Sequence, residues 1–218
     1  MFKSTITKTD NTAIPAIVRQ GAYSTPIWIQ SAWQSGEYAE FICRNGCGHC
    51  CTAMAANLRG ASIDPHQEFL LCCELWGKPS DQGVSAPFIT VGGMVKVLRH
   101  LGVSAHAHGV KAGEQQAATD HIVQSLQSQK LVAFISDPER NPSNPFSTGL
   151  HYVLALEIDS KGSILIANSS EKVSKGGIQY VDRDTIANSL FQGGTADENM
   201  TWGRLENIPA GCTYVVVD

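Results

Sequence analysis

Charged and aromatic residues are scarce in this chain of 218 residues, and long apolar runs are missing. Charged residues make up 17% and aromatic residues 7%, whereas hydrophobic residues make up 43%. This balance is typical of an ordinary globular protein and excludes an extended disordered segment. The net charge of -4 and the lack of a basic run give no reason to expect nucleic acid or an anionic membrane as a partner. No window approaches the roughly 20 apolar residues of a membrane-spanning helix.

The N-terminus and the cysteines point to a reducing compartment. The first ten residues lack the apolar core of a secretory signal. The cysteine count is seven, an odd number, and two pairs are adjacent in sequence, Cys50-Cys51 and Cys72-Cys73. This arrangement argues against a regular disulfide framework. We therefore expect free thiols and a cytoplasmic location, with delivery as a secreted effector left open.

Helical patterns come first along the chain and strand patterns follow. Small residues of good helix propensity, stopped by Gly60, predict a central buried helix from Cys47 to Leu58. Further helices are predicted at about 64–76, 90–101 and 117–129. The later sequence predicts a β-hairpin of 151–158 and 163–168, other strands at 131–135, 177–181 and 212–217, and a short helix at 183–190. Helices followed by an antiparallel sheet define an α+β fold.

Four of the seven cysteines lie between residues 41 and 60, and three chemical interpretations compete for them. The spacing Cys43-x3-Cys47-x2-Cys50 matches the iron–sulfur ligands of radical-SAM enzymes. Residues 47–50 also have the sequence CGHC, which matches the thiol–disulfide oxidoreductase motif. A Gly-Cys-Gly turn around Cys47 that opens a small-residue helix resembles the nucleophile turn of a cysteine peptidase.

The remainder of the chain favours the third interpretation. A β/α barrel, which the cluster would need, requires strands and helices that alternate. A thioredoxin-like protein requires a βαβ unit, and the residue before CGHC here is glycine and not an aromatic residue. Three successive helices and an antiparallel hairpin fit neither plan.

A cysteine nucleophile also needs a base and a group that orients that base, and the predicted hairpin supplies both. His151 begins one strand of the hairpin and Asn168 ends the other. Because the turn at 159–162 folds the two strands together, the two side chains are expected to lie within reach of each other. The hairpin would thus deliver the base and its orienter, and the helix would deliver the thiol.

These motifs, in this order, resemble a papain-like cysteine peptidase of the bacterial branch that includes bacteriocin-leader-processing peptidases. The resemblance rests on Gly46-Cys47-Gly48 followed by Ala53-Met54, the strand at 131–135, Leu150-His151-Tyr152-Val153, Gly162 and Ile166-Ala167-Asn168, and covers roughly residues 26–217. It implies a papain-like α+β fold with Cys47 as nucleophile, His151 as base and Asn168 as orienter, a position where aspartate is commoner.

The sequence departs from the family at two positions near the nucleophile. His49 stands where the family has a proline-like residue, and papain's own register would select Cys50 as the nucleophile. We favour Cys47, because Gly-Cys-Gly followed at this distance by Ala-Met matches the bacterial branch. The glutamine that donates to the oxyanion precedes the nucleophile in the family, and Gln30, with Gln34 behind it, is the candidate here.

The resemblance also implies the organisation and partners of the chain. We expect an N-terminal arm at 1–24 and one catalytic domain at 25–218, with a helical lobe at about 25–129 and a sheet lobe at about 130–218. The expected substrate is a peptide or small protein, cleaved without a cofactor; a transferase on the same scaffold is the alternative, and the oligomeric state stays open. The other cysteines (Cys43, Cys72, Cys73, Cys212) are interpreted as packing residues, and the pair His106-x-His108, which lacks a third ligand, predicts no metal site.

Overall fold

The computed structural model describes residues 46–76, 91–141, 143–170, 177–192 and 212–218, together with four two-residue strands nearer the N-terminus. Those short strands form two antiparallel pairs. The first pair joins β1 (Ile6–Thr7) to β2 (Ala13–Ile14), and the second joins β3 (Pro26–Ile27) to β4 (Glu40–Phe41). The weak apolar alternation at 26–30 predicts one short strand there, of which the structure describes only the first two residues.

Five helices lie within the described residues, at the positions that the sequence patterns predict to within two residues at either end. They are α1 (Cys47–Leu58), α2 (Pro65–Trp76), α3 (Val91–His100), α4 (Gln115–Gln127) and α5 (Arg183–Ser189). Helix α1 ends just before Gly60, as the sequence predicts. Gly60 has a φ of 95°, a left-handed conformation that glycine adopts more readily than other residues.

The helices pack on a six-stranded sheet whose described pairings are all antiparallel. Its spatial order is β5-β10-β6-β7-β8-β9, so the C-terminal strand lies between β5 and β6. The strands are β5 (Ala105–Gly109), β6 (Leu131–Ser136), β7 (His151–Ile158), β8 (Ile164–Asn168), β9 (Gly177–Val181) and β10 (Cys212–Val217). Strand β5 belongs to the range predicted as the helical lobe and forms one edge of this sheet. The predicted α+β class is confirmed.

Helices cover both faces of this sheet, which explains why its central strands are almost wholly apolar. In β6, Ala133 packs into a core with α1 and α3, whereas Phe134 packs into a second core with α4 and α5. Successive side chains of a strand point to opposite faces, so a strand covered on both sides must be apolar at every position. All six residues of β6 are buried.

The hairpin of β7 and β8 fixes the relation between His151 and Asn168. Asp159 closes its turn, with Oδ1 accepting hydrogen bonds from the backbone N–H groups of Lys161 and Ser163 at 2.8 Å each. The pairing of Leu154 with Ala167 sets the register, and a bulge follows after Ala155. Continued toward the open end, this register makes residues 151 and 168 diagonal neighbours, a separation that long side chains can bridge.

No helix within the described residues is both long enough and apolar enough to cross a membrane.

Candidate active site

Cys47 is the first residue of α1, the helix that packs against β7. Cys47 is a free cysteine and half-buried as a residue, whereas the next nine residues of the helix are buried. Gly46 precedes the helix without offering a side-chain cap, and the first turn carries no acidic residue. The uncapped N–H groups at the start of a helix favour a negative charge, so this position stabilises a thiolate.

The side chain of His151 reaches the sulfur of Cys47 from the first position of β7. Burial alone would raise the pKa of Cys47, but the hydrogen bond from His151 and the charge of its ring lower it. Backbone hydrogen bonds from Tyr152 and Gly48 act in the same direction. The net result is a pKa below that of an ordinary cysteine, which makes the thiolate available as a nucleophile.

Asn168 fixes the orientation of the His151 ring. The Nε2 atom of His151 lies 2.8 Å from Oδ1 of Asn168, and both residues are buried. The amide is held from two more directions, because its Nδ2 donates to the carbonyl of Phe146 at 2.9 Å and its Oδ1 accepts from the N–H of Ser170 at 2.9 Å. With Oδ1 facing the ring, Nε2 must carry a proton, which leaves Nδ1 as the ring nitrogen for Cys47.

Replacing Asn168 by alanine should lower the rate constant of a reaction that depends on the Cys47 thiolate and His151 by about 100-fold, because the imidazole loses the acceptor that orients it. Asn168→Asp keeps an oxygen facing Nε2 and should retain more activity than Asn168→Ala, although it loses the bond to the Phe146 carbonyl. Steady-state kinetics on the two variants measures the difference. Equal losses in both would contradict an orienting role for the side-chain oxygen.

The neighbouring cysteines have a different environment from Cys47. Cys50 and Cys51 are fully buried. Burial raises the pKa of both thiols well above the ordinary value, and the nearby charges of Cys47 and, for Cys50, of Glu68 raise it further. Among these three thiols, Cys47 alone combines access, an imidazole partner and a lowered pKa.

Some of the predicted site residues lie outside the described residues, and the two competing interpretations of the cysteine motif require a different fold. Gln30, its alternative Gln34, and Cys43 are outside the described residues. The described sheet is antiparallel in every pairing, so this part of the chain forms neither the β/α barrel expected of a radical-SAM enzyme nor a thioredoxin-like βαβ unit. The orienting partners of Asn168 could not be read from the sequence.

A buried pair between α1 and α2 was also missed by the sequence reasoning. Nδ1 of His49, two residues after Cys47, hydrogen-bonds Oε2 of Glu68, and the Cys72 thiol donates to Oε1 of Glu68 over 3.4 Å. The ring of His49 meets Phe69 edge-on, with centroids 5.5 Å apart. The sequence does contain a feature that could have indicated this pair. Glu68 lies beside Phe69 and four residues before Cys72, which places its carboxylate on the apolar side of a helix.

Removing the Glu68 carboxylate should destabilise the fold. Glu68→Ala leaves His49 and Cys72 buried without their acceptor, and the expected loss in free energy of unfolding is about 3 kcal/mol. Glu74→Ala, on the exposed side of the same helix, is the matched control and should change stability by less than about 0.5 kcal/mol. Urea unfolding monitored by circular dichroism measures both values. Similar small changes in the two variants would show that the Glu68 pair does not stabilise the fold.

Comparison with known proteins gives structural neighbours only. No family model matches the sequence, and no curated protein sequence matches it. One similar structure is the peptidase domain of Streptococcus ComA, a bifunctional ABC transporter involved in a quorum sensing pathway; the identity is 10%, the TM-score is 0.43, and the match covers 80% of this chain and 90% of that chain.

Two further neighbours carry related descriptions. A double glycine motif protease from an AMS/PCAT transporter, solved in complex with the leader peptide, is 11% identical with a TM-score of 0.43, over 91% of this chain and 94% of that chain. A putative C39-like peptidase from Bacillus anthracis is 13% identical with a TM-score of 0.44, over 80% and 88%. All three are described as peptidases or proteases.

Proposed function

We propose that this chain is a cysteine peptidase that hydrolyses a peptide or small-protein substrate with Cys47 as nucleophile, His151 as general base and acid, and Asn168 as the residue that orients His151. The observation that carries the proposal is the continuous hydrogen-bonded series from the Cys47 sulfur through the His151 ring to the Asn168 amide. This series meets the two requirements of nucleophilic catalysis, an activated nucleophile and a base held in one tautomer.

The resting site would hold a thiolate beside an imidazolium ion. The proton of the Cys47 thiol moves to Nδ1 of His151, while Nε2 keeps its own proton and donates a hydrogen bond to Oδ1 of Asn168. The N-terminus of α1 and the imidazolium charge stabilise the thiolate together. The enzyme would therefore be activated before the substrate binds.

Acylation begins when the thiolate attacks the scissile carbonyl carbon and forms a tetrahedral oxyanion. The backbone N–H of Cys47 and the side chain of Gln30 are the proposed donors to this oxyanion, and each such donor contributes about 3 kcal/mol in other enzymes. As the C–N bond breaks, the proton on Nδ1 of His151 passes to the leaving amine. Cys47 remains as a thioester.

Deacylation reverses the role of His151. A water molecule gives a proton to Nδ1, and its oxygen attacks the thioester carbon. The C–S bond then breaks, the acid product leaves, and the thiolate–imidazolium pair is restored. If an amine attacks in place of water, the same site carries out acyl transfer.

Turnover in ¹⁸O-labelled water with a degenerate peptide library tests this proposal. Hydrolysis predicts new C-terminal carboxylates that each gain one ¹⁸O atom, detected by mass spectrometry and absent with Cys47→Ala. Products joined to an added amine and free of ¹⁸O would instead identify the transferase alternative. Failure of both reactions, together with slow alkylation of Cys47 at neutral pH, would overturn the proposed function.

A further inference from the structure

A cluster of three metal-binding side chains lies behind the nucleophile, between α1 and α2. His49 comes from the first turn of α1, whereas Glu68 and Cys72 come from consecutive turns of α2, four residues apart. Their donor atoms all lie within 4.8 Å of one another. The proposed peptidase reaction uses none of these three groups.

These three side chains are almost completely buried, which is unusual for a cluster that contains a carboxylate. His49 is 2% exposed, Glu68 0% and Cys72 1%. A carboxylate taken out of water requires strong compensation, because burial of an unpaired charge is very unfavourable. Within the described part of the chain no lysine or arginine forms an ion pair with Glu68; its carboxylate is hydrogen-bonded there by His49 and Cys72.

The donor set suits a zinc-like ion. Imidazole nitrogen, thiolate sulfur and carboxylate oxygen are the three protein ligands of Zn²⁺, with bonds of about 2.0–2.3 Å. Ligands at these bond lengths around a tetrahedral ion are about 3.3–3.8 Å apart, so donors already within 4.8 Å of one another need only small side-chain shifts. Neutral His49, a Glu68 carboxylate and a Cys72 thiolate together balance the charge of a divalent cation.

We propose that His49, Glu68 and Cys72 form a binding site for a divalent transition-metal ion, with Zn²⁺ as the best match. The ion would replace the His49–Glu68 hydrogen bond and the proton of the Cys72 thiol, and a small ligand would take the fourth position. Because His49 belongs to the first turn of α1, the ion would join the nucleophile-bearing helix to α2. Its role is structural, and it does not depend on the peptidase activity.

Cobalt titration of the purified chain tests this site without an activity assay. Co²⁺ stands in for Zn²⁺ and gives a sulfur-to-metal charge-transfer band when a thiolate binds it. The titration is done in Cys47→Ala, because the thiol and imidazole of the proposed active site could themselves bind the ion. In that background we expect one equivalent of Co²⁺ with a charge-transfer band, displaced by Zn²⁺, and a higher melting temperature with either ion.

Adding Cys72→Ser to this background should remove the charge-transfer band. It should also weaken Co²⁺ binding by about 100-fold or more, because loss of a group that only supports a ligand already costs about 10–100-fold in metal affinity. Cys51→Ala is the matched control, because Cys51 is equally buried in α1 but lies outside the cluster. If the Cys72 variant does not fold, Glu68→Gln takes its place, with loss of affinity as the readout. The proposal is overturned if the Cys47→Ala protein binds no stoichiometric ion, or if binding survives the Cys72 or Glu68 change.

Discussion

Replacing Cys47 by alanine is expected to abolish peptide hydrolysis, with kcat reduced by a factor on the order of 10⁵ or more. The reason is chemical, because no other described thiol could take over the attack. Cys50 and Cys51 are fully buried, and burial raises the pKa of both thiols well above the ordinary value. The measurement is single-turnover hydrolysis of a cleaved library peptide at high enzyme concentration, followed by mass spectrometry.

The matched control is Cys50→Ala, which removes a thiol three residues further along the same helix. This variant should keep its activity within a few-fold and lose about 1 kcal/mol of stability, because it removes one small buried group. The opposite pattern, with activity lost in the folded Cys50 variant and kept in Cys47→Ala, would move the nucleophile to the papain register.

Replacing His151 by alanine should lower kcat by about 10⁴-fold, because the site loses its proposed general base and acid. It should also change the pH dependence of the Cys47 thiol. His151 supplies both the side-chain hydrogen bond and the charge that lower the pKa of Cys47, whereas burial raises it. Without His151 the two largest influences that lower the pKa of Cys47 are gone and burial still raises it, so this pKa should rise.

The rate of iodoacetamide alkylation at Cys47, measured against pH, reports this change. Alkylation requires the thiolate, so its rate rises through the pKa of the thiol. The midpoint should lie below the ordinary pKa of a cysteine in the unsubstituted chain and move upward in His151→Ala. His100→Ala, which removes an exposed imidazole at the end of α3, is the control and should leave the profile unchanged. An identical profile in His151→Ala would show that the ring does not activate the thiol.

The local elements of this fold follow from sequence patterns because short-range chemistry determines them. Helix α1 consists of small residues and stops at Gly60, and the structure gives it the predicted bounds of Cys47–Leu58. The hairpin is set by its turn, where Asp159 and Gly162 leave little choice of register. Since the two strands end at His151 and Asn168, the prediction that these side chains meet required no knowledge of the tertiary fold.

Features that depend on packing between distant segments were beyond the sequence patterns. The position of β10 between β5 and β6 follows from how the sheet assembles, and an apolar strand pattern does not specify its neighbours. The pairing of Glu68 with His49 depends on how α1 and α2 cross. The carbonyl of Phe146 that accepts a hydrogen bond from the Asn168 amide belongs to an irregular loop. Such a loop has no periodic sequence pattern from which its position could be predicted.

The most direct test of the site is a chemical cross-link between its sulfur and its imidazole. The reagent 1,3-dibromoacetone has two alkylating carbons joined by one carbonyl group, so it bridges only groups a few ångströms apart. We expect it to react first with Cys47 and then with His151, giving a cross-linked pair of peptides in the digest that disappears in His151→Ala. A cross-link from Cys47 to any other residue, or a singly alkylated Cys47 with His151 unmodified, would contradict the arrangement described.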